Sequence, residues 1–195
     1  MVTSKGAASK ERMLDAAIGL MRHGGLAAAG VNEIVAGSGA PKGSVYHFFP
    51  DGKRQIAVEA LTRYAARIHA AIDASLASAP RPGDKVRALF GMLERRLEDA
   101  DFGQSCAVGA VTLDLDAEME AVRVAAGAAF DDWRTLIAAH FDIPERHRRE
   151  AFAGLVLTAI QGGYVRGRAE RSVQPFREAA AWLAEIAELE ARPAP

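Results

Sequence analysis

With 195 residues, half of them hydrophobic, the chain can bury one large core or two small ones, and its low aromatic and high alanine content favours helices. One cysteine, Cys106, excludes an internal disulfide framework and any cysteine-based zinc finger. The longest apolar run, residues 151–160, falls well short of the ~20 residues of a membrane span, and no apolar leader opens the chain, so a cytoplasmic protein with no membrane partner is expected.

Residues 1–8 read as a mobile arm. Ser9 can cap a helix running to about residue 23, with Leu14, Ala17, Ile18 and Met21 on one face, and Gly24-Gly25 ends it. Two short helices follow. Val31, Ile34 and Val35 repeat at i, i+3, i+4, and so do Val45, Phe48 and Phe49. Between the two runs lies Gly37-Ser38-Gly39-Ala40-Pro41, where glycine permits positive φ and proline opens a new helix. Two short helices joined by a glycine-containing turn match a helix-turn-helix. In the second of them the apolar residues turn inward and leave Lys42, Gly43, Ser44, Tyr46 and His47 outward. That face is small, basic and hydrogen-bonding, which suits double-stranded DNA.

Pro50-Asp51-Gly52 breaks the pattern, and a long helix over residues 53–77 turns Ile56, Leu61, Tyr64, Ile68, Ile72 and Leu76 inward. After Pro80-Arg81-Pro82 the next helix spans residues 84–99, with Val86, Leu89, Phe90, Leu93 and Leu97 in register. A loop at 101–104 and a short apolar stretch at 105–113 lead to a turn at Asp114-Leu115-Asp116. The helix beyond it carries Met119, Val122, Phe130, Trp133, Ile137 and Phe141. Pro144 falls in the first turn of a helix holding Phe152, Leu155, Val156, Ala159, Ile160 and Tyr164. Pro175 starts the last helix, with Phe176, Leu183, Ile186 and Leu189, and the end is a frayed tail. No stretch alternates with the period of a strand. An all-α fold of about nine helices is expected, with a helix-turn-helix domain over 1–52 and a larger body over 53–195.

Charge is uneven along this chain. Residues 1–54 hold seven basic and four acidic side chains, a net +3, and the remainder is net −4. The positive part coincides with the helix-turn-helix, as expected if only that part meets phosphates. Within it Lys42 is the candidate for a guanine or phosphate contact, Gly43 lets the backbone come close, and Ser44 can bond a base or a phosphate. The alternative for Tyr46 and His47 is a solvated helix face with an aromatic tucked into the core. Lys5 and Lys10 either track phosphates or are simply solvated.

A capped first helix, a helix-turn-helix ending in Tyr46-His47-Phe48-Phe49, a lysine just beyond and a larger helical body together resemble the TetR family of transcriptional regulators. The specific match covers residues 9–60, and the PKGSVYHFFP string at 41–50 carries most of it. The long spacer at 50–53, Gly39-Ala40-Pro41-Lys42 before it and the 106–111 stretch after it look like the LmrA/YxaF branch, whose members sense flavonoids or drugs. Two departures stand out: Gly30 replaces the family's threonine cap, and Gln104-Ser105-Cys106-Ala107 replaces a Gly-Cys-Pro string. The resemblance implies phosphate and thymine-methyl contacts for Tyr46 and His47 and a phosphate clamp at Lys53. It also implies a homodimer closed by the last two long helices of each subunit, and no cofactor. Gly162, Gly163 and Gly167 would allow close helix approach. With them the expected interface takes Phe152, Val156, Phe176, Trp182, Leu183 and Ile186. The alternative is that these residues finish the core of their own chain.

For a small-molecule effector, the body offers Tyr64, Phe90, Phe130, Trp133, Gln161 and Tyr164 at inward positions, although aromatics at helical spacing also serve as plain core. Cys106 reads either as a redox sensor or, with apolar residues after it, as a buried inert thiol. No enzyme is expected. Asp114, Asp116, Glu118 and Glu120 are scattered round a helix start, where acids favour the helix dipole, and His140, Asp142 and His147 lack metal-ligand spacing. The expected function is a ligand-responsive repressor of an operator. An activator of the same fold, or a helical small-molecule-binding protein that does not use DNA, are the alternatives.

Overall fold

The computed structural model describes residues 4–41 and 43–191. Among these the regular structure is entirely helical, in nine helices. In chain order they are α1 (Ser4–Ala28), α2 (Val31–Ser38), α3 (Gly43–Phe48), α4 (Gly52–Ala77), α5 (Pro82–Glu98), α6 (Ala107–Thr112), α7 (Glu120–Ala139), α8 (Arg146–Glu170) and α9 (Gln174–Glu190). Two compact units emerge, Met1–Ala66 with Cys106–Ala129, and Arg67–Ser105 with Phe130–Pro195. Compactness therefore groups the start of α4 and all of α6 with the first three helices, where a division at residue 52 would separate them.

In the first unit α1 packs on α2 and on α6. Its buried face is Leu14, Ala17, Ile18 and Met21, as read from the sequence, with Met13 buried beside them. The helix begins at Ser4, five residues before the expected cap at Ser9. Residues 4–8 contain no proline and two alanines, so nothing in them stops a helix. Residues 1–3 and 192–195, the rest of the expected arm and tail, lie outside the described residues, as does Lys42.

The expected break at Gly24-Gly25 is present as a kink inside α1. Gly25 has φ +69°, and a Cβ there would run into the carboxylate of Asp114. That carboxylate accepts the backbone N–H of Ala27 at 3.0 Å. The acidic cluster is thus divided among separate tasks: Asp114 holds the kink, Asp116 accepts the N–H of Glu118 at 2.9 Å, and Glu120 pairs with Arg123 in the first turn of α7. Between α1 and α4, Arg63 pairs with Glu11 and donates Nε to Asp15 at 3.0 Å. The hydrogen bond to Asp15 holds the guanidinium above its ordinary pKa.

In the second unit α9 packs against α5 and α8. At its centre the Phe176 ring, fully buried, meets Phe90 edge-on at 6.1 Å and Tyr164 at 5.2 Å. Close approach here depends on glycine. A Cβ on Gly163 would enter the Phe176 ring, and one on Gly167 would come within 2.6 Å of Leu97. Phe141 lies beyond the end of α7 but still reaches the core, edge-on to Phe152 at 5.0 Å. Pro144 precedes α8 instead of sitting in its first turn. Two reciprocal pairs tie α4 to the α7 region: His69 to Asp132 at 2.7 Å, and Asp73 to His140 at 2.8 Å. His140 thus takes a carboxylate partner from α4, and among the described residues no group of three His, Cys, Asp or Glu converges to hold a metal.

Candidate functional site

The helix-turn-helix is built by local chemistry. The Ile34 N–H bonds the carbonyl of Gly30 at 3.0 Å, and α2 has no side-chain cap at Gly30. The Glu33 carboxylate instead curls back into the space a Cβ on residue 30 would occupy, the third-position carboxylate that favours a helix start. Gly39 closes α2 with φ +62°, its N–H bonding the Val35 carbonyl at 3.1 Å. Ser38 is the only buried polar residue among those described. It is satisfied on both sides, donating to the Val35 carbonyl and accepting the Ala40 N–H. The Arg12 side chain of α1 donates to the Ser38 carbonyl at 3.2 Å. The turn is therefore pinned from three directions before α3 begins.

Helix α3 is six residues long, and Val45 and Phe49 sink fully into the core. With those positions inward, Gly43, Tyr46 and His47 face solvent and Ser44 is half-buried. Tyr46 is 62% exposed, high for a tyrosine with no packing role. The His47 ring lies edge-on to Phe48 at 5.1 Å, which fixes its direction. A new helix starts at once, because Gly52 turns the chain with φ +64° and the Asp51 N–H is taken by Gln55 at 3.1 Å. Lys53 and Arg54 then stand in the first turn of α4, half-buried and exposed respectively. The arrangement presents a tyrosine hydroxyl, an imidazole, a serine hydroxyl and two cations around an accessible glycine backbone, with no acid on α3 itself.

Lys10 is committed elsewhere: it pairs with Glu59 at 2.7 Å and sits 5.2 Å from the centre of the Phe49 ring. Its place is inside α1, where it meets Phe49, just past α3, and Glu59 of α4, and it is not on an arm reaching for phosphates. The Lys5 side chain lies outside what the structure describes.

The body residues separate into two sets. Of those expected at an effector site, Phe90 and Tyr164 meet around Phe176, Phe130 packs edge-on to Trp133 at 5.8 Å, and Gln161 is half-buried on α8. Tyr64 is buried and belongs to the first unit, whereas the other five belong to the second. Of those expected between subunits, Phe152, Val156, Gly163, Gly167, Phe176 and Leu183 are all buried within their own chain. The physical reason is that α8 is apolar on two faces: Phe152, Val156, Gly163 and Gly167 lie on its buried face, and Phe176 and Leu183 on the buried face of α9. Ile186 is half-buried, and Trp182 alone of the set stands out, 71% exposed.

The other face of α8 was missed by reasoning from the sequence. Ala151, Leu155, Thr158, Gly162, Val165 and Ala169 are all exposed, and they recur at alternating four- and three-residue steps. That is the spacing of a helix seam packed on another helix. Beside it on α9 are Ala181, Trp182 and Leu189, also exposed. A shallow groove between the two helices is lined by Ala159, Gly162, Arg166, Pro175, Glu178 and Trp182. Arg166 bridges it, bonding Glu170 at 2.9 Å and Glu178 at 3.1 Å. The missed signal lay in the sequence as a second run of apolar and small residues beside the first.

Residues 13–60 match the sequence model for the N-terminal domain of bacterial regulatory proteins of the tetR family. Residues 82–182 match that for the C-terminal domain of LmrA/YxaF-like transcriptional regulators. A helix-turn-helix-type transcriptional regulator of Mycobacterium tuberculosis is 30% identical over 175 residues, covering 86% of this chain and 88% of the relative. Among solved structures, a TetR regulatory protein from Rhodobacter sphaeroides aligns with a TM-score of 0.81 at 20% identity, over 90% of this chain and 96% of that one. The TetR family regulator CifR, solved with a 26-bp double-stranded operator DNA, aligns with a TM-score of 0.77 at 20% identity, over 91% of this chain and 95% of that one.

Proposed function

Because this chain is a DNA-binding transcriptional regulator that belongs to the TetR family, we propose that it acts as a homodimeric repressor, released from its operator by a small apolar or aromatic ligand. The observation that carries the dimer is the exposed seam of α8 with Trp182 and Leu189 beside it. A monomer seldom leaves a continuous apolar stripe to water, and a two-fold pair of such helices buries it against itself. Dimerisation sets two copies of α3 in successive major grooves, about 34–36 Å apart. Lys42, Gly43, Ser44, Tyr46 and His47 then meet base edges and phosphates, while Lys53 holds a phosphate at the start of α4. Residues 1–52 serve DNA, and 53–195 serve dimerisation and the effector. The work is binding, not catalysis, and its place is the cytoplasm.

The second unit's buried aromatic cluster supports an apolar effector, since such ligands bind where apolar side chains surround a few placed polar groups. Ligand and operator then favour different states of the dimer, so each weakens the other by the same factor.

Two variants test the DNA face by fluorescence anisotropy against the DNA upstream of the chain's own gene. Tyr46→Ala is expected to weaken binding about thirtyfold, on the order of 1 kcal/mol at each half-site, with the dimer intact. Unchanged affinity would remove Tyr46 from the contact surface. Lys53→Gln is expected to lower the slope of log K against log salt by roughly 1 per half-site. An unaltered slope would show that this cation meets no phosphate.

A further inference from the structure

One side chain of α8 narrows the chemistry of the effector. The Nε2 atom of Gln161 is buried and has no hydrogen-bond partner, and it is the only buried side-chain nitrogen or oxygen so placed among the described residues. A native interior rarely leaves a donor unpaired, because the desolvation it has paid is not returned. Leu157 at i−4 and Tyr164 at i+3 share its side of the helix, and both are buried. Tyr164 leads directly into the Phe90–Phe176 cluster. The amide therefore sits beside an aromatic surface as a buried donor with no partner.

Among the described residues of the second unit no charged side chain is buried. Among the described residues Ser38 is the only buried polar or charged one, and it belongs to the first unit. In the second unit the half-buried Glu94 pairs with Arg177 at 3.0 Å, His140 with Asp73, and Lys85 with the His140 carbonyl at 2.6 Å. A carboxylate entering this interior would meet no buried cation among the described residues, which makes its burial costly.

We propose that Gln161 is the specificity-determining donor of the effector site, selecting an uncharged, largely apolar molecule that carries a hydrogen-bond-accepting oxygen and excluding anions. This rests on the reading of the body as an effector site. Replacing the donor by an apolar group of similar length removes the selection and spares the apolar contacts.

The test is equilibrium dialysis of the full-chain dimer with three probes of one shape: 2-acetylnaphthalene, 2-ethylnaphthalene and 2-naphthoate. The expected result is that the acetyl compound binds about tenfold more tightly than the ethyl compound, as one newly satisfied buried donor would give, and that naphthoate binds at least ~100-fold more weakly than either. In Gln161→Met the acetyl-to-ethyl ratio falls to about one, while the ethyl compound binds as before. Equal binding of acetyl and ethyl compounds to the unaltered chain overturns the role of Gln161 and leaves the effector reading standing. A tenfold ratio that survives in Gln161→Met, or tight binding of naphthoate, does the same. Failure of all three probes to bind the unaltered chain sinks both. The comparison within the unaltered chain decides the matter even if the variant does not fold, and Gln161→Leu repeats the variant arm.

Discussion

Trp182→Glu is expected to leave each subunit folded and to separate the dimer. Trp182 is 71% exposed within its own chain, so its replacement removes little from the subunit's core. Across a two-fold interface it would be a central aromatic anchor, a class of residue whose truncation costs about 2 kcal/mol or more. Glutamate adds the burial of an unpaired charge, next to Glu178 and Glu185 on the same exposed face of α9. Sedimentation velocity should find monomers at concentrations where the unaltered chain is a dimer, with the thermal transition of the helices little changed. Operator affinity should fall by roughly 10²–10⁴, because the second head loses its effective concentration at the second half-site. A variant that remains dimeric would place the interface elsewhere.

Phe176→Ala is expected to do the reverse. Its ring is fully buried between Phe90 and Tyr164 and lies over Gly163, where no Cβ intervenes. Truncation leaves a cavity that α5, α8 and α9 cannot easily collapse, at a cost of about 3–5 kcal/mol. Urea denaturation should show a lower midpoint with an unchanged slope. A variant as stable as the unaltered chain, yet monomeric, would mean that α9 presents Phe176 to a partner and Trp182 to the interior. The two substitutions sit six residues apart on one helix, and their opposite outcomes separate the two faces.

Those faces also mark how far the sequence could be read. The head was legible because its signals are local. Gly39 and Gly52 punctuate it, and the i, i+3, i+4 sets of α2 and α3 each have one apolar face, so Tyr46 and His47 could only turn outward. In α8 both faces are apolar or small, and periodicity alone does not say which one belongs to the subunit's own core. Gly163 and Gly167 do permit close approach, but to Phe176 and Leu97 of the same chain, and it is Gly162, one position away, that lies on the open seam. Leu155 and Leu189, apolar members of the same helices, are 47% and 60% exposed. Pairings across long stretches of chain were out of reach for a different reason. Lys10 with Glu59, and Asp114 with the Ala27 N–H, depend on how helices are brought together, which no local pattern encodes.

The proposed function comes down to one event, the insertion of two copies of α3 into duplex DNA. Hydroxyl-radical footprinting of the DNA upstream of the gene measures it most directly. The account predicts two protected half-sites on one face of the duplex, related by a two-fold axis and centred about one helical turn apart or a multiple of it, with protection lost in Trp182→Glu. Protection of a single half-site by the unaltered dimer, or none at concentrations that saturate anisotropy, would contradict it.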